Sequence, residues 1–226
     1  MRIDYTLIRS KRKTAAIYVR GGVVEVRAPL KMPQRDINKF VAAHEKWIAE
    51  RLAESLEQLQ RRAAFTLTYD SRVLYRGKEY PITAKNGNHI GFDQGVFYMP
   101  PDLPSAQIKA FCIQIYRMLA QRDLTAVTLK FAEKMGVTPS NIKINGAKTR
   151  WGSCSPGKNI NFSWRLIMAE EAVIDYVVVH ELAHLMEMNH SKQFWNIVAG
   201  VIPDYKERKA RLHELQVRLA SENWDI

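Results

Sequence analysis

The first thirty residues alternate between apolar and polar. Ile3, Tyr5 and Leu7 are separated by polar residues, Ile17 and Val19 repeat the pattern, and Val24 and Val26 follow the pair Gly21-Gly22. A period of two marks half-buried strands, and a glycine pair between two such runs marks a hairpin, so the stretch predicts a small antiparallel sheet. After Pro33 the period lengthens. Ile37, Phe40, Val41, His44, Trp47, Ile48, Leu52, Leu56 and Leu59 fall on one stripe at helical spacing, which predicts a single long amphipathic helix over about 33–63. Short runs of β type return at Leu67–Tyr69, Val73–Tyr75 and Tyr80–Thr83, punctuated by Gly77, Gly87, Gly91 and Gly95. Pro100, Pro101 and Pro104 interrupt them and suggest a boundary, dividing the chain into 1–100 and 101–226.

The second half opens on a predicted helix, Ser105–Met135, with Ile108, Phe111, Cys112, Ile115, Leu119, Val127 and Phe131 on its apolar side and Gly136 as its stop. Cys112 on that stripe reads as a core thiol. Strand-like segments follow at Ile142–Ile144, Thr149–Cys154 and Ile160–Leu166, with Ser155–Lys158 as the turn between the last two. Gly157-Lys158 is not read as a phosphate loop, because the loop's other glycine is missing and Pro156 sits inside the turn. Helices are expected over about Glu171–Met188, Lys192–Ala199 and Asp204–Ser221. The class is α+β: an N-terminal small antiparallel β region with one long helix, then a domain in which a short sheet packs on helices.

Composition adds limits. A chain of 226 residues with 46% hydrophobic residues can bury a sizeable core as one large or two small domains, which excludes a disordered or low-complexity protein. Cys112 and Cys154 are the two cysteines, so neither a disulfide framework nor a four-cysteine zinc cluster is available. Apolar runs of signal-peptide or membrane-spanning length are absent, which leads to the expectation of a cytoplasmic protein with no membrane contact. The formal charge of +11 is uneven: residues 1–35 carry nine Lys or Arg (Arg2, Arg9, Lys11, Arg12, Lys13, Arg20, Arg27, Lys31, Arg35) against Asp4 and Glu25. A basic arm of this kind suits a nucleotide, nucleic acid or an acidic surface, and equally a set of solvated strand faces.

The chemistry concentrates in His180-Glu181-Leu182-Ala183-His184. Residues four apart on a helix point the same way, so the two imidazoles aim at one spot, as a tetrahedral zinc ion with nitrogen ligands at ~2.0–2.1 Å requires. Glu181 falls beside them as base to a metal-bound water. His190, six positions after His184, can supply the third ligand if Leu185–Asn189 ends the helix and turns. Glu187 on a continuing helix and Asp204 from a later one are the alternatives, ranked below it. Three protein ligands and an open fourth position suit a catalytic rather than a bracing site.

His180–Leu185, Asn189-His190-Ser191-Lys192, Phe194-Trp195 and Thr149–Ser155 together resemble the YgjP-like metallopeptidase family, a zincin group related to the SprT-like and WLM domains. Pro203-Asp204-Tyr205 and the basic hairpin Arg9–Arg20 fit as well, so the resemblance spans nearly the whole chain. It implies a zincin-like C-terminal domain and a hydrolase with one zinc ion, with His180, His184 and His190 as ligands and Glu181 as catalytic acid. Metzincins share the ligand spacing, but Glu187 stands here in place of their turn glycine.

A negative oxygen develops on the substrate during hydrolysis and calls for a donor. Arg150 is the first candidate and Tyr205 the second, whereas Phe194 and Trp195 read as core. The leading expectation is a zinc peptidase acting on peptides or proteins. The alternatives are a metal-dependent nucleoside triphosphate pyrophosphatase, of the UTP type the resemblance suggests, and a DNA-associated module with a bracing zinc site.

Overall fold

The computed structural model describes residues 3–225, so Arg2 of the basic arm lies outside the described residues. The chain divides into two compact units, one running to Phe65 and taking in Leu219–Asn223, the other Thr66–Arg218 with Trp224 onward. The prolines at 100–104 lie inside the second unit.

In the first unit, β1 (Thr6–Ser10), β2 (Ala16–Arg20) and β3 (Val23–Pro29) form a sheet of order β1-β3-β2. The hairpin through Gly21-Gly22 is antiparallel as expected, with Val19 opposite Val24, and both glycines take left-handed φ of 58° and 74°. β1 instead pairs with β3 in parallel, Leu7 opposite Val26, because the loop after Ser10 crosses the end of β3 to place β2 on its far side. The alternation decides which face is buried: Val24, Val26 and Ala28 point into a core closed by Ile37, Val41 and Ile48. The predicted long helix is two helices, α1 (Gln34–Ala43) and α2 (Glu45–Ala64). His44 separates them at φ −112°, ψ 14°, and its Nδ1 lies 2.8 Å from the Phe40 carbonyl.

The second unit holds two sheets. β4 (Arg72–Tyr75), β5 (Lys78–Ala84), β6 (Gly91–Asp93) and β7 (Val96–Met99) assemble in the order β4-β5-β7-β6. β8 (Asn141–Asn145), β9 (Gly152–Cys154) and β10 (Asn159–Ser163) follow as β8-β10-β9, and a 3₁₀ turn over Trp164–Met168 replaces the end of the strand expected over Ile160–Leu166. Between them runs α3 (Ser105–Met135), which ends at Gly136 with φ 65°, the left-handed cap its sequence predicts. Ile108, Cys112, Ile115, Tyr116 and Leu119 are buried along it, and burial pushes the Cys112 thiol up to about 12, as suits a core thiol. Tyr116 stacks on Trp164 at 5.5 Å and meets the edge of Trp224, also at 5.5 Å. The last helices are α4 (Glu171–Ala183), α5 (Lys192–Val201) and α6 (Tyr205–Ala220). Among the described residues no helix is long and apolar enough to cross a membrane.

Candidate metal centre

α4 is apolar on nearly every side. Val173, Ile174, Tyr176, Val177, Val178, Val179, Leu182 and Ala183 are all buried, and Glu171 sits in the first turn, where a negative charge complements the helix dipole. Burial of this kind overrides the low helix propensity of its β-branched run. The helix stops at Ala183, earlier than Met188. The amides of Leu185 and Met186 bond the Leu182 and Ala183 carbonyls at 3.0 Å each, and the chain turns back.

That turn returns His190 to the helix. His190 Nε2 lies 3.0 Å from His180 Nε2, and the three imidazoles His180, His184 and His190 each offer a nitrogen within 4.8 Å of the others. A tetrahedral zinc site sets its ligand nitrogens ~3.3 Å apart, so the spacing fits such an ion. His184 Nδ1 donates to the Glu187 carbonyl at 3.2 Å, which fixes its tautomer and leaves Nε2 as the free lone pair. Burial, with His184, His190 and Lys209 nearby, pushes His180 down to about 3, and burial also lowers His184. Both rings are therefore neutral at neutral pH, the form that binds a metal. His180 Nδ1 is buried with no hydrogen-bond partner among the described residues.

Aromatic rings hold this cluster. Phe194, fully buried, touches His180, His184 and His190 with ring centroids 4.9, 4.5 and 4.8 Å away. Its position is set by Ser191, whose Oγ caps α5 by accepting from the Phe194 amide at 3.3 Å. Trp195 is only half-buried and stacks on His190 at 5.8 Å, and Tyr205 stacks on its indole at 5.2 Å. Trp195 is thus a prop for the most exposed of the three histidines, a role that its place in an apolar helix pattern conceals.

Glu181 faces β9. It is 6% exposed, and burial raises its carboxyl to about 7 against the opposing charge of Arg150. Gly152 makes room for it: a Cβ there would stand 2.5 Å from Glu181 Oε1. Arg150, exposed and two residues upstream, is therefore within electrostatic reach of the carboxyl. Cys154 shares this environment, its thiol raised by burial and then by Glu181. Tyr176 is a neighbour that the sequence reading missed: burial, then Tyr205 and Glu181, push its phenol up to about 12, and its ring lies 5.9 Å from His180. Its spacing four residues before His180 was the available signal.

The two alternative third ligands are engaged elsewhere. The Glu187 carboxylate accepts from the Asn189 amide at 3.3 Å, and Asp204 pairs with Arg208 at 2.9 Å.

Among known proteins, the metallopeptidase zymogen abylysin of Pyrococcus abyssi is 25% identical over 39% of this chain and 90% of its own, with a TM-score of 0.37. Jannalysin of Methanocaldococcus jannaschii, crystallised as a metallopeptidase zymogen, is 20% identical over 41% of this chain and 96% of its own, at 0.38. No curated protein sequence matches the chain. The class is nevertheless that of a metallopeptidase, and hence of a hydrolase, because the match to a family is nearly complete. Residues 13–215 match the YgjP-like metallopeptidase domain, and the chain belongs to that family.

Proposed function

We propose that this protein is a zinc-dependent peptidase in which His180, His184 and His190 hold one ion and Glu181 moves the proton. The observation that carries the reading is the convergence of three imidazole nitrogens within 4.8 Å of one another, next to a buried carboxyl on the same helix. Zinc held there would acidify a water molecule and polarise the scissile carbonyl. Glu181 would take the proton from the attacking water and hand it to the leaving amine. Its burial favours this shuttle, because a carboxyl balanced near 7 both accepts and releases a proton at neutral pH. Arg150 is the proposed donor to the developing oxyanion, with Tyr205 as the second candidate on the side of Trp195. Peptides or proteins are the substrates.

The test is Glu181→Gln on the zinc-loaded protein, assayed against denatured protein substrates and, in parallel, against nucleoside triphosphates. We expect the variant to keep its zinc and lose peptide cleavage by at least about 10²-fold. Undiminished cleavage in the variant, or phosphate release without peptide cleavage in the parent, refutes the reading.

A further inference from the structure

The first unit's sheet has a second face. Strand alternation that sends Val24, Val26 and Ala28 inward sends Ala16, Tyr18 and Arg20 of β2, Glu25 and Arg27 of β3, and Ile8 of β1 outward. Both helices of the unit pack on the inner face, through Ile37, Val41 and Ile48. The outer face is built around one aromatic ring. The Arg27 guanidinium lies over Tyr18 at 4.7 Å, and that of Arg20 at 5.3 Å. Arg27 is steadied by Glu25, which accepts from its Nε at 2.6 Å, so one guanidinium plane is held in place on a partly exposed side chain.

Three further cations follow β1 along the chain. The loop joining β1 to β2 starts at the edge of this face and carries Lys11, Arg12 and Lys13. Lys11, Lys13 and Arg20 are exposed, and none of the three has an acidic partner among the described residues. Exposed cations of one sign attract a partner of the opposite sign.

We propose that this face binds single-stranded nucleic acid, with phosphates on Lys11, Lys13, Arg20 and Arg27 and bases stacking on the Tyr18–Arg27 platform. Charge complementarity selects a polyanion, and the flat aromatic and guanidinium surface selects unpaired bases, whose faces are free to stack. A duplex offers no such faces, and an anionic membrane or an acidic protein would use the cations without needing Tyr18.

The experiment measures fluorescence anisotropy of a labelled oligothymidylate of about 15 nucleotides with the full chain. Four phosphate contacts predict a loss of affinity of about 50-fold between about 50 and 200 mM salt. Reversal of the exposed cations together (Lys11→Glu, Lys13→Glu, Arg20→Glu) should weaken binding by at least about 30-fold, with zinc content and peptide cleavage unchanged. Tyr18→Leu should weaken it about tenfold for the oligonucleotide and leave binding to polyglutamate unaltered. Circular dichroism of each variant excludes unfolding as the cause. The proposal is overturned if the parent ignores the oligonucleotide at about 50 mM salt, or if a duplex of equal length, polyglutamate or phosphatidylserine vesicles bind as tightly.

Discussion

Replacing Gly152 by alanine tests the geometry of the centre without replacing a histidine or Glu181. The added Cβ would stand 2.5 Å from Glu181 Oε1, 2.6 Å from its Cγ and 2.7 Å from its Cδ. Comfortable contact between such atoms begins near ~3.5 Å, so the side chain has to withdraw by about 1 Å. Glu181 is 6% exposed and has little free space to withdraw into. Overpacking of this kind costs about 1–3 kcal/mol of stability. A displacement of about 1 Å at a reacting group costs about 10²-fold in rate, so kcat should fall by that factor while zinc affinity and KM stay close to those of the parent. Gly200→Ala is the control, since a Cβ there meets nothing within 4 Å. The assay pairs peptide cleavage with zinc content by mass spectrometry and a urea melt. A Gly152→Ala protein that folds, binds zinc and cleaves within about threefold of the parent would refute the placement of Glu181 as the proton carrier.

Three other outcomes follow from the same packing. Trp195→Ala should weaken zinc binding by about 10–100-fold by releasing His190, while Trp195→Phe keeps most of the affinity; a chelator competition reads both. Trp224→Ala should destabilise the protein by about 3–5 kcal/mol in urea, because the indole is 4% exposed and packs edge-on against Tyr116 and Trp164. In the zinc-free protein, Glu181 and His180 should oppose one another in pH-dependent stability. The carboxyl is raised from 4.5 to about 7, so the folded state holds a proton that the unfolded state releases, and stability falls with pH across that window. His180 is lowered from 6.5 to about 3, so there the unfolded state binds the extra proton, and stability rises with pH up to 6.5. These two slopes cancel over about pH 4.5–6.5, leaving the rise that the lowered His184 adds, and Glu181→Gln should steepen the rise by about 1.4 kcal/mol per unit in chemical denaturation; a flat profile in that variant would count against the burial of His180.

Which parts of this were legible in the sequence depended on whether the information was local. The convergence of His180 and His184 was, because a four-residue spacing is fixed by helical geometry, and so was the left-handed stop of α3 at Gly136. The inward face of β3 was also readable, since alternation alone sets it. His44 was not: the apolar stripe runs through it without a break, and the interruption lies in a backbone angle that no periodicity reports. The parallel pairing of β1 was hidden because it depends on where a loop crosses, not on the strand's own residues. Gly152 reads in the sequence only as one residue of Thr149–Ser155, since the space it leaves is measured from a carboxyl on another element. Trp195 reads as core because helical spacing cannot tell a ring that packs inward from one that stacks on a histidine such as His190.

The first unit is not a contiguous piece of chain. Leu219–Asn223 belongs to it although Arg218 before it and Trp224 after it belong to the second, and Arg62 donates to the carbonyls of Ala220 and Glu222 at 3.3 Å each. A protease nick between Phe65 and Thr66 would therefore leave two fragments that still share a folded body. Residues 1–65 expressed alone would lack a strip of their own structure. Excising the unit cleanly would need a circularly permuted or spliced gene rather than a truncated one.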